Sequence, residues 1–318
     1  MSSRRPLHTP RLPRGVARHL GTAALAAAGL ALAGCSSGTA APATTAVPTT
    51  TTVPPTTTST TEQPGWTVVS RSGGAIAVDS QTVTEPTGHT VTVFRFRAGQ
   101  VHYGLHVGSS DPPTGTAVVS ADSSSTIGPQ ETASLLAAFN GGFLSTTGSG
   151  GFELNGQVLL PLQAGEASLV IDTDGTGHVG VWGQGVPAKG EQVASVRQNL
   201  PPLVVGGQPS PSITDVAAWG ATLGGGSSVA RSALGEDTQG DLLYAASMAA
   251  LPSDLADALV SAGTSTAMEL DINPEWVQLA VAPVPGGTLA TGVPGQNRPA
   301  DQYVVGWTRD FVTVLAAG

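Results

Sequence analysis

His89-Thr-Val-Thr-Val-Phe-Arg-Phe-Arg97 alternates residue by residue, with Val91, Val93, Arg95 and Arg97 on one face and Thr90, Thr92, Phe94 and Phe96 on the other. A period of two in a run rich in β-branched and aromatic side chains predicts a β-strand. Similar patterns predict strands over 66–70, 75–79 and 101–107, so strands dominate this part of the chain. Residues 132–139 read as a short helix or an apolar strand. Residues 152–159 and 168–182 read as hairpins that turn at Asn155-Gly156 and Asp174-Gly175. Strands over 229–234 and 241–248 follow. Pro252-Ser253-Asp254 then opens a helix with Ser253 as its N-cap, Gly263 closes it, and a strand over 264–272 comes next. A helix of about ten residues is enough for a right-handed crossover between parallel strands. The expected fold class is therefore α+β: a single domain over residues 65–318, with a mixed, strand-rich sheet and a strand–helix–strand unit in its C-terminal half.

Ahead of this domain the composition changes twice. Arg4, Arg5, Arg11, Arg14 and Arg18 form a basic start, followed by an apolar run over 20–33 that is too short to span a bilayer as a stable helix. The run ends in Leu32-Ala33-Gly34-Cys35, which looks like a lipoprotein processing site in which residues 1–34 are removed and Cys35 is acylated. Cys35 is the sole cysteine of the chain, which excludes an intrachain disulfide. Residues 35–64 are mostly Thr, Pro, Ala, Ser and Val, a tract that buries too little apolar surface to fold and reads as a disordered spacer. The expected location is extracytoplasmic, at a bacterial cell membrane, with the lipid as the only attachment. Thirteen basic residues less the five arginines leaves eight, against 22 acidic ones, a formal −14. A field of that sign repels nucleic acid and anionic lipid. A monomer with a carbohydrate or glycan substrate is the expected state.

Chemistry is sought where polar groups interrupt apolar runs. Glu269 and Asp271 are two apart on a predicted strand, so they share a face, while Leu270 and Ile272 point the other way. Two such carboxylates repel unless one is protonated or a cation intervenes. They suit acid–base work, sugar hydroxyl binding or a divalent metal, or else they are solvated acids at a strand end. Asn273 lies at the same end, and nearby Trp276 either stacks on a sugar ring or belongs to the core. Arg231, in a nearly uncharged stretch, either grips phosphate or carboxylate in two-pronged fashion or pairs with Glu269 or Asp271. Asn140-Gly141-Gly142 offers an amide and two residues without a β-carbon, a turn whose N–H groups can approach a ligand closely.

Other patterns are weaker. Asp172-Thr-Asp174-Gly175 begins like a calcium loop, but the twelfth position holds Gly183 rather than glutamate, so a hairpin turn is expected. No cysteine–histidine pattern indicates zinc, no ligand motif indicates any other cation, and no Gly-x-Ser-x-Gly elbow indicates a serine hydrolase. No cofactor is expected, although the paired carboxylates are compatible with a divalent cation.

Asn140-Gly141-Gly142-Phe143, Arg231-Ser232-Ala233-Leu234-Gly235 and Glu269-Leu270-Asp271, in that order, resemble the three motifs of the phosphodiester glycosidase family. The family's third motif is Asn-Leu-Asp-Gly-Gly-Gly-Ser. Here Asp271 matches its aspartate, Glu269 replaces its asparagine, and Ile272-Asn273-Pro274-Glu275-Trp276 replaces its glycine-rich tail. The resemblance implies hydrolysis of a sugar-1-phosphodiester at the anomeric C–O bond. It casts Asp271 and Glu269 as catalytic, and Asn140, Gly141, Gly142, Arg231, Asn273 and Trp276 as substrate-binding. The altered tail keeps a second reading open, a non-catalytic glycan- or peptidoglycan-binding lipoprotein on the same fold.

Overall fold

Leu242 and Tyr244 point to one side of their strand and Leu243 and Ala245 to the other, and both sides are buried. That double burial shows how the chain is layered. The computed structural model describes residues 61–220 and 225–318. The signal segment, Cys35 and the spacer up to residue 60 lie outside the described residues.

Three antiparallel sheets make up the fold. The largest has eight strands in the order Thr67–Ser72, Ala75–Thr84, Thr90–Phe96, Leu242–Ala250, Val229–Asp237, Thr264–Glu269, Val204–Val205 and Gln208–Pro209. A second runs Gln157–Leu160, Phe152–Leu154, Val193–Gln198, Ala167–Asp172 and Gly177–Val181. The third runs Ala290–Thr291, Leu279–Val281, Leu135–Asn140, Phe311–Ala316 and Val101–His106.

The expected α+β class with a mixed sheet is corrected by these pairings. Every described strand ladder is antiparallel. Among the described residues, helix is confined to one ten-residue segment, Pro252–Ser261, and two segments of four residues, Pro129–Thr132 and Gln302–Val305, besides short 3-10 turns. Nor does Pro252–Ser261 join neighbouring strands. Leu242–Ala250 and Thr264–Glu269 lie on opposite sides of Val229–Asp237, each antiparallel to it. The fold is β-rich. Among the described residues no helix is long and apolar enough to cross a membrane.

The alternation of His89–Arg97 survives intact. Val91 and Val93 pack with Leu243, Ala245 and the helix residues Leu255 and Leu259 on one face of the large sheet. Phe94 and Phe96 join Tyr244, Phe139, Leu169 and Val312 on the other, where the smaller sheets close the main core. Full burial of each such side chain contributes roughly 1.5–3 kcal/mol. Arg95 and Arg97 both reach the Asp79 carboxylate, at 2.8 and 2.7 Å, so two cations share one buried anion. The helix is capped differently from expectation. Leu251 precedes it and Pro252 occupies its first turn, while Asp254 Oδ2 accepts the Leu251 N–H at 2.7 Å.

Candidate active site

The three polar clusters, spread over some 130 residues of sequence, meet at one end of the large sheet. Asn140 ends the strand Leu135–Asn140 and donates from Nδ2 to Ser232 Oγ at 2.9 Å. Ser232 is fully buried and lies beside Arg231 on the strand Val229–Asp237. Its N–H donates to the Asp271 carbonyl at 2.9 Å, and its carbonyl accepts the Leu270 N–H at 2.8 Å. Ser232 thus bonds two successive residues where a regular ladder would supply one, and strict alternation ends at Glu269. Glu269 and Asp271 consequently enter different surroundings.

Glu269 turns to Arg231. Its Oε1 accepts from Arg231 Nη1 at 2.7 Å, and the two side chains are 1% and 0% exposed. Arg231 also donates to the carbonyls of Ala250 and Trp219, at 3.2 and 3.1 Å. Burial raises the Glu269 carboxyl to about 8, with the Arg231 guanidinium pulling the other way. Of the two readings open for Arg231, an ion pair with Glu269 is the arrangement present.

Asp271 turns to a cleft of about 760 Å³, whose polar lining is Asp271, Asn273, Trp276, Thr147 and Ser149 and whose apolar lining includes Phe143, Leu200, Ala218 and Met248. Asp271 Oδ1 accepts the N–H groups of Ile272 and Asn273 at 2.7 and 2.8 Å, a local turn that fixes the carboxylate. Its Oδ2 lies 3.6 Å from Arg309 Nη2. Burial raises this carboxyl to about 7, opposed by Arg309 and the two backbone N–H groups and reinforced by nearby Asp310. Asn273 Oδ1 accepts the Glu275 N–H at 2.9 Å. Trp276 is half-buried, packs against the cluster that contains Phe311 and Trp307, and lies under the Arg309 guanidinium at 4.1 Å. It therefore serves the packing and the cleft wall together.

The Asn140-Gly141-Gly142 turn is engaged within the protein. Asn140 Oδ1 accepts from the Tyr244 hydroxyl at 2.8 Å and the Gln278 N–H at 3.3 Å. Gly141 N–H donates to the Asp310 carbonyl, Gly142 N–H to Asp310 Oδ2 and Phe143 N–H to Asn199 Oδ1. A β-carbon on Gly141 would strike the Asp310 carboxylate, and one on Gly142 would stand 2.8 Å from Arg197 Nη2. The two glycines are needed because charged side chains press on this turn from outside.

Sequence reasoning missed those side chains. Arg309 donates to the Gly142 carbonyl at 2.9 Å and sits 3.4 Å from Asp111, and its Nη1 is buried without a hydrogen-bond partner. Asp310 pairs with Arg197 at 2.7 Å and keeps Oδ1 unpartnered. Asn199 ties the turn to the acidic strand by donating to the carbonyls of Glu269 and Leu270 at 2.6 and 2.9 Å. Arg309-Asp310 stands just before the apolar run Phe311–Ala316, the same kind of signal that marks the other clusters.

No protein-family model matches the chain, and no curated protein matches it in sequence. Among solved structures it is similar to the catalytic domain of zebrafish N-acetylglucosamine-1-phosphodiester alpha-N-acetylglucosaminidase, auto-inhibited by its pro-peptide. That likeness has 16% identity, covers 80% of this chain and 88% of that one, and has a TM-score of 0.49. A hypothetical protein from Synechocystis is similar at 12% identity over 77% of this chain and 63% of its own, with a TM-score of 0.46. Both are distant likenesses of fold.

Proposed function

We propose that this chain is an envelope-anchored hydrolase that cleaves the glycosidic bond of a sugar-1-phosphodiester or a related cell-wall glycan, with Asp271 as the group that handles the proton. The observation that carries this reading is a buried carboxylate on the cleft wall, raised to about 7 and beside a guanidinium whose Nη1 lacks a hydrogen-bond partner. A carboxylate poised near neutrality exists in both protonation states there, which suits acid–base work. Arg309, just behind Asp271, supplies positive charge to the cleft wall, and Trp276 offers a ring face for a sugar. A phosphate monoester leaves readily, so the chief demands on the site are activation of water and stabilisation of the positive charge developing on the sugar ring. Arg231 and Glu269 support this arrangement from behind, as a fixed cross-link.

The second reading, a glycan-binding lipoprotein, is favoured by one feature: Asp271 is the only ionisable side chain among the described residues lining a mainly apolar cleft. The two separate on one assay. The full chain is incubated with N-acetylglucosamine-1-phosphate diesters, and free sugar is followed beside the Asp271→Asn variant. Release that is lost in the variant supports the hydrolase. Binding of the diester with no release, across several sugars, supports the binding protein.

A further inference from the structure

Away from the cleft, a second polar cluster occupies the hairpin of the middle sheet. Asp172 ends the strand Ala167–Asp172, His178 stands on Gly177–Val181, and Glu191 comes from the loop that leads into Val193–Gln198. One imidazole nitrogen and two carboxylate oxygens from these residues all lie within 4.8 Å of one another, and each residue is half-buried. The stretch beginning at Asp172 was set aside above because its spacing is wrong for a calcium loop. The fold supplies what the spacing lacked, by bringing in His178 from the paired strand and Glu191 from a loop.

Two features prepare the cluster for a cation. His178 Nδ1 lies 3.1 Å from Glu236 Oε1, and the other Glu236 oxygen accepts the Val179 N–H at 2.7 Å. A carboxylate only accepts, so Nδ1 carries the proton, and in the neutral ring Nε2 keeps its lone pair. A carboxylate behind the far nitrogen is the usual partner of a metal-ligating histidine, because it fixes the tautomer and the ring orientation. Nε2 stands 3.8 Å from Glu191 Oε1, beyond hydrogen-bond length, so donor and carboxylate face each other across a gap. The second feature is Asp172 Oδ1, which is buried and has no hydrogen-bond partner. The Glu191 loop is itself held in place: Glu191 Oε2 accepts the Ala188 N–H, and the Thr173 N–H donates to the Gln192 carbonyl at 2.8 Å.

We propose that Asp172, His178 and Glu191 form a divalent metal site separate from the cleft, and that zinc is the ion their donors suit best. One imidazole nitrogen and two carboxylate oxygens leave a fourth, tetrahedral position for water. The ion clamps the Glu191 loop to the hairpin, with Glu236 as the positioning residue behind His178. The test is zinc chloride titration of chelator-treated full chain, read by calorimetry and by thermal midpoint. His8, His19 and Cys35 are common to wild type and variants, so their zinc cancels in the comparison. Wild type is expected to bind one more zinc than His178→Ala or Asp172→Asn, and only wild type is expected to gain midpoint from that ion. Glu236→Gln should keep the stoichiometry and bind roughly 10–100-fold more weakly. Equal zinc counts in wild type and both variants would overturn the site. If the variants do not fold, crystals of wild type soaked in zinc chloride decide. An anomalous peak among the three side chains supports the site, and its absence there means that an imidazolium holds the two carboxylates instead.

Discussion

Two buried carboxylate–guanidinium pairs stand two residues apart at the end of the strand Thr264–Glu269, and they are built differently. Glu269 and Arg231 meet at 2.7 Å, almost wholly sealed, and two backbone carbonyls take up further guanidinium donors. Asp271 and Arg309 stand at 3.6 Å beside a cleft, and Arg309 Nη1 has no hydrogen-bond partner. Arg231 Nη2 and Glu269 Oε2 also lack hydrogen-bond partners, but this pair is sealed away from the cleft, so it acts as a cross-link between strands. The second can exchange its partner for a ligand without breaking a short bond. The difference begins at Ser232, which bonds both Leu270 and Asp271 and so separates two carboxylates that a regular strand would place side by side.

The sealed pair should respond most strongly to substitution. Arg231→Ala leaves Glu269 buried without its partner, and above about pH 8, where the Glu269 carboxyl is ionised, Glu269→Gln leaves Arg231 without its counter-charge. Removing one partner of such a pair costs about 3–5 kcal/mol, read as a loss of denaturant midpoint. On the open side, Asp271→Asn should lower turnover by roughly 10²–10⁴-fold, followed as sugar release. It should not lower stability, because an asparagine Oδ1 can still accept the N–H groups of Ile272 and Asn273. Arg309→Lys keeps the charge but loses the planar fork, and a KM rise of about tenfold for a phosphodiester is expected.

Acidity sharpens the contrast further. Asp271 is raised from its ordinary value of 3.8 to about 7. Between those values the folded chain holds a proton that the unfolded chain has released. Stability from this group is therefore full below 3.8 and falls as pH rises toward about 7. In Asp271→Asn the decline over that window should be shallower. Glu269 keeps its own share, because burial raises it in the same direction. The smallest effect expected is at the turn: Gly141→Ala forces the Asp310 carboxylate aside and should cost about 1–3 kcal/mol, measured by thermal unfolding.

Much of this arrangement was legible in the chain. The alternation of His89–Arg97 gave both faces of a strand, because a period of two survives any sheet order. The convergence of Asn140, Arg231 and Asp271 was legible as polar groups at the ends of apolar runs. Sheet order was not. The helix Pro252–Ser261 fits a crossover to a neighbouring strand as well as one that passes over Val229–Asp237, and helix length does not encode that lateral step. Arg309 and Asp310 escaped because a long loop and a short helix separate them from the acidic strand, and only the pairing of Phe311–Ala316 with Leu135–Asn140 brings them back. The Arg231–Glu269 ion pair was one of two readings the chain allowed, because these residue types fit a binding site and a buried cross-link equally, and only burial distinguishes the two.

The decisive experiment sets Asp271→Asn beside Glu269→Gln in the full chain, with thermal midpoint and sugar release from an N-acetylglucosamine-1-phosphodiester read on the same samples. A crossed result is expected above about pH 8: Asp271→Asn keeps its midpoint and loses turnover, while Glu269→Gln loses midpoint and keeps turnover per folded molecule. Turnover retained in Asp271→Asn, or abolished in a fully stable Glu269→Gln, would contradict it.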